Sequence, residues 1–176
     1  MSPLVASLNT ILALGSIVLQ VGAVIVLITY IRRDPEVLAH LVVKNALLLT
    51  FILSLAGSIF TLIYSDIFGF VPCGLCWFER IALYPIALLA GVALFKRESA
   101  RMADYLLALA IPGALISLYH HYIQMGGAEF VKCPAAGADC AKRIIFEFGY
   151  ITFPFLAFSL FVFIIVLLLH LRRDSK

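Results

Sequence analysis

Residues 72–97 read PCGLCWFERIALYPIALLAGVALFKR, and this stretch decides the fold. It opens with two cysteines in a C-x-x-C arrangement and continues to Phe95 with Glu79 and Arg80 as its only charges. A helix that crosses a lipid bilayer needs about 20 mostly apolar residues, and this stretch supplies them. A redox motif therefore stands at the head of a predicted membrane-spanning helix.

The rest of the chain has the same apolar character. Of its 176 residues, 64% are apolar and 13% are charged, with a mean hydropathy of +1.09. In soluble domains about 45–50% of residues are apolar and about 25% are charged. The fold class is therefore an all-α, polytopic transmembrane helix bundle. Five spans are predicted: Leu4 to Ile31, Ala46 to Tyr64, Cys73 to Phe95, Ala103 to Gln124 and Ile151 to Leu171.

The charge balance excludes one class of partner and sets the orientation. A net charge of +3, scattered along the chain, does not form the clustered basic surface that nucleic acid requires. Lys and Arg accumulate on the cytoplasmic side of membrane proteins. With the N-terminus outside, nine cations lie inside, namely Arg32, Arg33, Lys44, Lys96, Arg97, Arg101, Arg172, Arg173 and Lys176, and four lie outside, namely Arg80, Lys132, Lys142 and Arg143.

This orientation places all four cysteines on the outer, oxidising side of the membrane. The first span has no basic residue before it and is longer than a signal peptide core, so we expect an uncleaved anchor. Residues 37–44 favour a short helix at the inner interface or the start of the second span, and residues 141–149 favour an interfacial helix.

Arg80 shares a helix face with the C-x-x-C motif. Cys73, Cys76 and Arg80 are spaced i, i+3 and i+7, and Pro72 suits the first turn of a helix whose N-terminus stabilises a thiolate. A charge within a spanning helix costs about 2.5–3.5 kcal/mol. Arg80 is either a snorkelling side chain paired with Glu79 or a cation that holds a thiolate or a ligand carbonyl, and its coincidence with Cys76 favours the second interpretation.

A second cysteine pair, Cys133 and Cys140, encloses six residues that include proline and glycine. Such a loop closes a disulfide without strain. An exposed bridge of this kind suits attack by another protein's thiolate, although a static loop disulfide is the alternative. Near the outer end of the fourth span, His120 and His121 point about 100° apart, so only one of them faces the bundle interior.

These motifs resemble the DsbB family, the bacterial membrane thiol:quinone oxidoreductases that reoxidise a DsbA-like thiol oxidase. The family carries C-x-x-C-x-x-E-R where this chain has residues 73–80, and residues 118–121 and 139–143 add to the likeness. The resemblance covers roughly residues 46–171. It implies a four-helix redox domain over residues 46–176, preceded by an additional anchor helix and cytoplasmic loop over residues 1–45.

The resemblance also implies roles for individual residues. A DsbA-like thioredoxin-fold partner attacks Cys133, Cys140 then attacks Cys73, and Cys76 passes two electrons to a membrane quinone, either ubiquinone or menaquinone. Arg80 and His121 are the implied quinone-side residues. The resemblance also implies a location in the bacterial cytoplasmic (inner) membrane, with the cysteines on its outer face. It implies no metal ion.

The chain differs from the family in two respects, and its motifs have three other interpretations. The first span is additional to the family core, and the six-residue gap between Cys133 and Cys140 is short for the family. The four thiols could instead bind zinc, or the bridges could brace a scaffold that has no catalytic activity. Covalent haem attachment is disfavoured because Trp77, not histidine, follows the C-x-x-C.

Overall fold

The computed structural model describes residues 3–32, 44–96, 99–130, 132–133 and 138–174. Its five helices are all long and apolar enough to cross a membrane, the second when counted with the π-helical turn Ile63–Ile67 that continues it. They are α1 (Pro3–Arg32), α2 (Ala46–Leu62), α3 (Gly74–Lys96), α4 (Ser99–Gln124) and α5 (Phe153–Asp174). The predicted all-α membrane bundle and its five spans are therefore confirmed. The expected interfacial helix over residues 37–44 falls, except for its last residue, outside the described part of the chain.

Four of the helices surround one apolar core. Side chains of α2, α3, α4 and α5 meet there, including Leu47, Ile86, Leu106, Phe161 and Ile164. Helix α1 packs mainly against α5, where Ala23 and Val26 form a second apolar cluster with Phe163, Val166 and Leu167, and its Leu19 lies at the edge of the four-helix core. The structure thus sets α1 apart from a four-helix core, and the domain boundary at residue 45 stays a prediction.

Small residues let the helices approach closely, as expected for packing in lipid. A Cβ atom added to Gly57 would lie 2.8 Å from Leu160, and one added to Gly91 would lie 3.0 Å from the Phe51 ring. Gly113 is tighter still, since its added Cβ would lie 2.6 Å from the ring of Phe161. These glycines set the spacing of α2, α3 and α4 against their neighbours.

Polar side chains attach α1 to the core at three depths. Gln20 donates hydrogen bonds to Ser16 at 3.0 Å and to Ser159 of α5 at 3.1 Å. Towards the C-terminal end of α1, the His170 imidazole donates to the Val26 carbonyl at 2.9 Å. Towards its N-terminal end, Asn9 accepts a hydrogen bond from the Tyr64 hydroxyl. Hydrogen bonds of this kind between helices are worth about 0.6–2 kcal/mol each in a membrane.

The segment between the second cysteine pair and α5 folds differently from the expectation. Instead of an interfacial helix over residues 141–149, strand β1 (Phe146–Glu147) pairs antiparallel with β2 (Ile151–Thr152). The loop between them places Phe148 at φ 53° and Gly149 at φ 79°, in the left-handed region. Because glycine adopts this region without strain, the chain reverses here and the expected helix is wrong.

Candidate active site

The first cysteine pair lies at the start of α3. Cys73 immediately precedes the helix and is buried, whereas Cys76 lies in its first turn and is partly exposed. Their Sγ atoms are 2.7 Å apart, and the backbone N–H of Cys76 donates to Cys73 Sγ at 3.2 Å. The first N–H groups of a helix have no partner within it, so the Cys73 sulfur accepts one of them.

The surroundings of Cys73 favour its thiolate. The hydrogen bond from the Cys76 thiol, with further hydrogen bonds from His120 and the Cys76 backbone, lowers the pKa of Cys73 from 9.0 to about 4, against the opposing effect of burial. A thiolate is the nucleophile and the good leaving group in disulfide exchange. Cys73 is therefore a thiolate at neutral pH and is ready to exchange with another sulfur.

A buried acid and a buried histidine lie behind Cys73. Glu79 Oε1 and His120 Nδ1 are 2.9 Å apart, and the two side chains are almost fully buried. On the opposite edge of the imidazole, Nε2 lies 3.5 Å from Cys73 Sγ and 3.2 Å from the Cys140 carbonyl oxygen. A buried carboxyl group in a spanning helix needs such a partner, because an unpaired charge there is very costly.

The second pair forms a disulfide that touches the first pair. Cys133 is bonded to Cys140; the Cys140 side chain is fully buried, and Cys133 is partly exposed. Cys73 and Ala138 form a parallel β-bridge that holds this loop against the start of α3. As a result, the Sγ atoms of Cys73 and Cys140 and a ring nitrogen of His120 all lie within 4.8 Å of one another. Loop residues 134–137 lie outside the described residues.

Arg80 is buried beside the pair but bonds elsewhere. Its Nη2 donates to the Thr61 carbonyl at 2.8 Å, and its guanidinium carbon lies 5.2 Å from the ring centroid of Trp77. Thr61 lies just before α2 changes into a π-helical turn at Ile63–Ile67, an irregularity often found at functional sites. Glu79 is hydrogen-bonded to His120, so the contacts do not support a simple Arg80–Glu79 surface pair.

A cavity of about 400 Å³ lies next to these groups. Cys73, Cys76, Glu79, Arg80 and His120 all line it, and its remaining wall is mostly apolar and aromatic, with Tyr64, Phe70, Leu83, Phe153 and Phe161. A mainly apolar cavity with a few convergent polar groups has the character of a small-molecule site.

His121 lies away from this cavity. Its Nδ1 is 2.9 Å from the Thr152 hydroxyl, and its ring packs against Phe155 with centroids 4.6 Å apart. The structure thus brings Cys73, Cys76, Cys140 and Arg80 together and adds two groups whose roles the sequence did not assign, Glu79 and His120. The assignment of His121 to the quinone stays a prediction.

A sequence signal for His120 exists. Ser117, His120 and Gln124 follow each other at i, i+3 and i+7 on α4, so they form one polar stripe along the C-terminal half of the helix. All three are buried. That stripe predicts that His120, and not its neighbour, faces the bundle interior.

Fold and site together define a class: a polytopic helical membrane protein in which two cysteine pairs meet at one end of the bundle. The sequence model of the family "Disulfide bond formation protein DsbB" matches residues 43–171. The chain therefore belongs to the DsbB family. No solved structure has significant similarity to it.

Named relatives agree with this membership. "Disulfide bond formation protein C" of Bacillus subtilis (strain 168) is 37% identical over 128 residues, which cover 72% of this chain and 92% of the relative. The "SPbeta prophage-derived disulfide bond formation protein B" of the same strain is 37% identical over 134 residues, which cover 76% of this chain and 90% of the relative. A "Probable disulfide formation protein C" of Bacillus cereus is 41% identical over 124 residues, covering 70% and 88%.

Proposed function

We propose that this chain is a thiol:quinone oxidoreductase that generates disulfides by reoxidising a DsbA-like thioredoxin-fold partner. One observation carries the proposal: the buried sulfur of Cys140 lies within 4.8 Å of Cys73 Sγ, while its disulfide partner Cys133 is partly exposed. One sulfur of the second bridge therefore faces the surroundings and the other faces the first pair. Membership of a disulfide bond formation family supports the same chemistry.

The exchange begins at the accessible sulfur. A thiolate of the reduced partner attacks Cys133 Sγ, forms a mixed disulfide and releases the Cys140 thiolate. Cys140 then attacks Cys73 of an oxidised Cys73–Cys76 bridge, which forms a Cys73–Cys140 disulfide and releases the Cys76 thiolate. The partner attacks Cys133 because Cys140 is fully buried, and Cys140 attacks Cys73 because their sulfurs lie within 4.8 Å of each other.

The Cys133–Cys140 bridge then re-forms. The partner's second thiolate attacks the mixed disulfide and leaves as an oxidised protein, which frees the Cys133 thiolate. Cys133 attacks Cys140, re-forms the Cys133–Cys140 bridge and releases Cys73. Two electrons and two protons have then passed from the partner to Cys73 and Cys76, and the result is a closed second bridge beside two free cysteines.

His120 and Glu79 supply acid–base chemistry for this exchange. Nε2 of His120 donates a hydrogen bond to the Cys73 thiolate, 3.5 Å away, and Nδ1 exchanges a proton with Glu79 Oε1, 2.9 Å away. Glu79 lines the cavity, so the proton ends beside the acceptor. A positioned acid–base pair of this kind contributes about 10²–10⁴-fold in rate.

The cavity residues fit a quinone ring. A bound quinone supplies an acceptor for two electrons and two protons. Arg80 offers a buried cation where negative charge develops, and aromatic walls offer flat apolar contact. Gln124 Oε1 is buried and has no hydrogen-bond partner among the described residues, so it is available to a hydroxyl group in the cavity.

The proposal includes a location. We place the chain in the bacterial cytoplasmic (inner) membrane with the N-terminus and all four cysteines outside, because nine of its 13 cations then lie inside. Relatives from Bacillus support a bacterial membrane. The acceptor is then the ubiquinone or menaquinone of that membrane.

Anaerobic mixing of the purified protein with a short-chain quinone and a reduced DsbA-like protein tests the function. We expect quinone absorbance to fall only when all four cysteines are present, with Cys73→Ser, Cys76→Ser, Cys133→Ser and Cys140→Ser as single controls. A bracing scaffold would consume no quinone and its cysteines would not change state on thiol trapping.

Zinc binding is the second candidate, because the Cys73, His120 and Cys140 ligand atoms lie within 4.8 Å of one another. It ranks lower because Cys140 is disulfide-bonded and offers no thiolate in that state. Stoichiometric zinc in the purified protein, lost on His120→Gln substitution, would favour this candidate over the oxidoreductase.

A further inference from the structure

The additional helix α1 carries a buried asparagine near its N-terminal end. Asn9 is only 3% exposed, and its Oδ1 accepts a hydrogen bond from the hydroxyl of Tyr64. A polar amide is unfavourable in a spanning helix unless it has a partner. The apolar contacts of Ala23 and Val26 with α5 already anchor the other half of α1, so Asn9 makes a contact of a different kind.

Tyr64 belongs to the wall of the cavity that contains Cys73, Cys76 and Arg80. It lies in the π-helical turn Ile63–Ile67 that continues α2, and its side chain is 2% exposed. Its ring is surrounded by other aromatic rings, with centroids 5.2 Å from Phe153 and 6.0 Å from Phe70.

Tyr64 is therefore the centre of the aromatic wall. Phe70 and Phe153 line the same cavity, and each of them contacts the Tyr64 ring. The backbone of this region is also held at Tyr64, whose carbonyl accepts the Phe70 N–H at 3.0 Å. A shift of Tyr64 would move both neighbouring rings relative to Arg80.

We propose that Asn9 is a positioning residue for the acceptor site, and that α1 serves the redox reaction by holding Tyr64 in the cavity wall. This inference rests on the proposed function, because it takes the cavity to be the quinone site. Asn9 is not among the residues that line the cavity, so it acts on the cavity through Tyr64. It assigns a role to the helix that stands outside the four-helix core.

Quinone binding can be measured separately from turnover. Trp77 is the only tryptophan of the chain and packs against Arg80, so its fluorescence reports on the cavity when a short-chain quinone is titrated. Two variants break the hydrogen bond from opposite sides: Asn9→Leu, and Tyr64→Phe, which removes the hydroxyl alone. We expect each to raise the Kd for quinone about three- to tenfold.

A double-mutant cycle separates positioning from general damage. The variant Asn9→Leu/Tyr64→Phe should bind quinone no more weakly than the weaker single variant, because one hydrogen bond is lost in all three. The exchange of Cys133 with a reduced partner should be unchanged. The matched control is Gln20→Leu, which removes another polar contact between α1 and the core and should lower thermal stability without changing the Kd.

Three results are decisive. An unchanged Kd in both Asn9→Leu and Tyr64→Phe, with a wild-type protein that binds quinone, overturns this inference and leaves the proposed function standing. An equal rise in Gln20→Leu also overturns it, since α1 would then act only through stability. A wild-type protein that binds no quinone overturns the proposed function and the inference with it.

Discussion

Cys140 Sγ lies within 4.8 Å of Cys73 Sγ, although the two residues belong to different cysteine pairs on different segments of the chain. This proximity predicts a direct bond between them. In the variant Cys76→Ser/Cys133→Ser, we expect the two remaining thiols to form a Cys73–Cys140 disulfide under mild oxidation. Mass spectrometry of the unreduced peptides would detect it.

The matched control keeps one sulfur from each pair in the other combination. In Cys73→Ser/Cys133→Ser, the remaining thiols are Cys76 and Cys140, and Cys76 is not among the groups that cluster within 4.8 Å of the Cys140 sulfur. Faster oxidation of this control than of the first variant would contradict the proposed attack on Cys73.

Cys73 should titrate far below an ordinary thiol. The hydrogen bond from Cys76, with those from His120 and the Cys76 backbone, lowers its pKa from 9.0 to about 4. In the protein with its first pair reduced, ultraviolet absorbance of the thiolate should stay constant as the pH falls, until it is lost with a midpoint near 4. An ordinary cysteine loses its thiolate near pH 8.5.

The lowered pKa of Cys73 also makes the stability of the reduced protein depend on pH. The folded pKa of Cys73 is below its unfolded value, so the thiolate stabilises the reduced protein fully above the unfolded pKa. That stabilisation declines as the pH falls and is gone below about 4. His120→Gln should raise the midpoint, because one hydrogen bond to the sulfur is lost.

Much of this fold was predictable because its signals are local. An apolar run of membrane length forms a helix in lipid wherever it lies, and the C-x-x-C motif of Cys73 and Cys76 stands within four residues. The neighbours of Arg80 were harder to predict. Its helix face follows from spacing, but its hydrogen bond to Thr61 depends on how α2 packs against α3.

Contacts between distant segments account for what the sequence left open. The polar stripe of Ser117, His120 and Gln124 already favours His120 over His121, but the partner that His120 meets depends on how α4 packs against α3. The partner of Glu79 likewise comes from another helix. Residues 141–149 alternate basic and apolar side chains, and this pattern favoured a helix in the prediction. The chain forms a hairpin before α5 instead, because Gly149 accommodates a left-handed turn there.

The pair formed by Glu79 and His120 should be strongly coupled in stability. His120→Leu leaves Glu79 buried without its hydrogen-bond partner and should lower the free energy of unfolding by about 3–5 kcal/mol. The double variant Glu79→Leu/His120→Leu removes both polar groups and should recover part of that loss. Thermal unfolding in detergent would measure both, and strict additivity would show that the two side chains do not interact.

Close packing at Gly113 should make it intolerant of a methyl group. Its added Cβ would lie 2.6 Å from the fully buried ring of Phe161, so Gly113→Ala should lower the free energy of unfolding by about 1–3 kcal/mol. Gly15→Ala on α1 is the matched control, since no atom lies within 4 Å of its added Cβ. Equal melting temperatures for the two variants would contradict this packing.

Arg80 should affect quinone binding more than thiol exchange. Its guanidinium donates to the Thr61 carbonyl beside the cavity and lies over Trp77, so Arg80→His removes both the permanent charge and this anchoring. We expect the quinone Kd from Trp77 fluorescence to rise about tenfold or more, since a charge-assisted hydrogen bond is worth about 1.5–3 kcal/mol. Arg80→Lys keeps the charge but lacks the planar guanidinium, so its quinone Kd should lie between those of the wild-type protein and Arg80→His. Mixed-disulfide formation at Cys133 should proceed normally in both variants, because Cys133, unlike Arg80, does not line the cavity. A Kd that is unchanged in Arg80→His would mean that the cavity cation does not contact the acceptor.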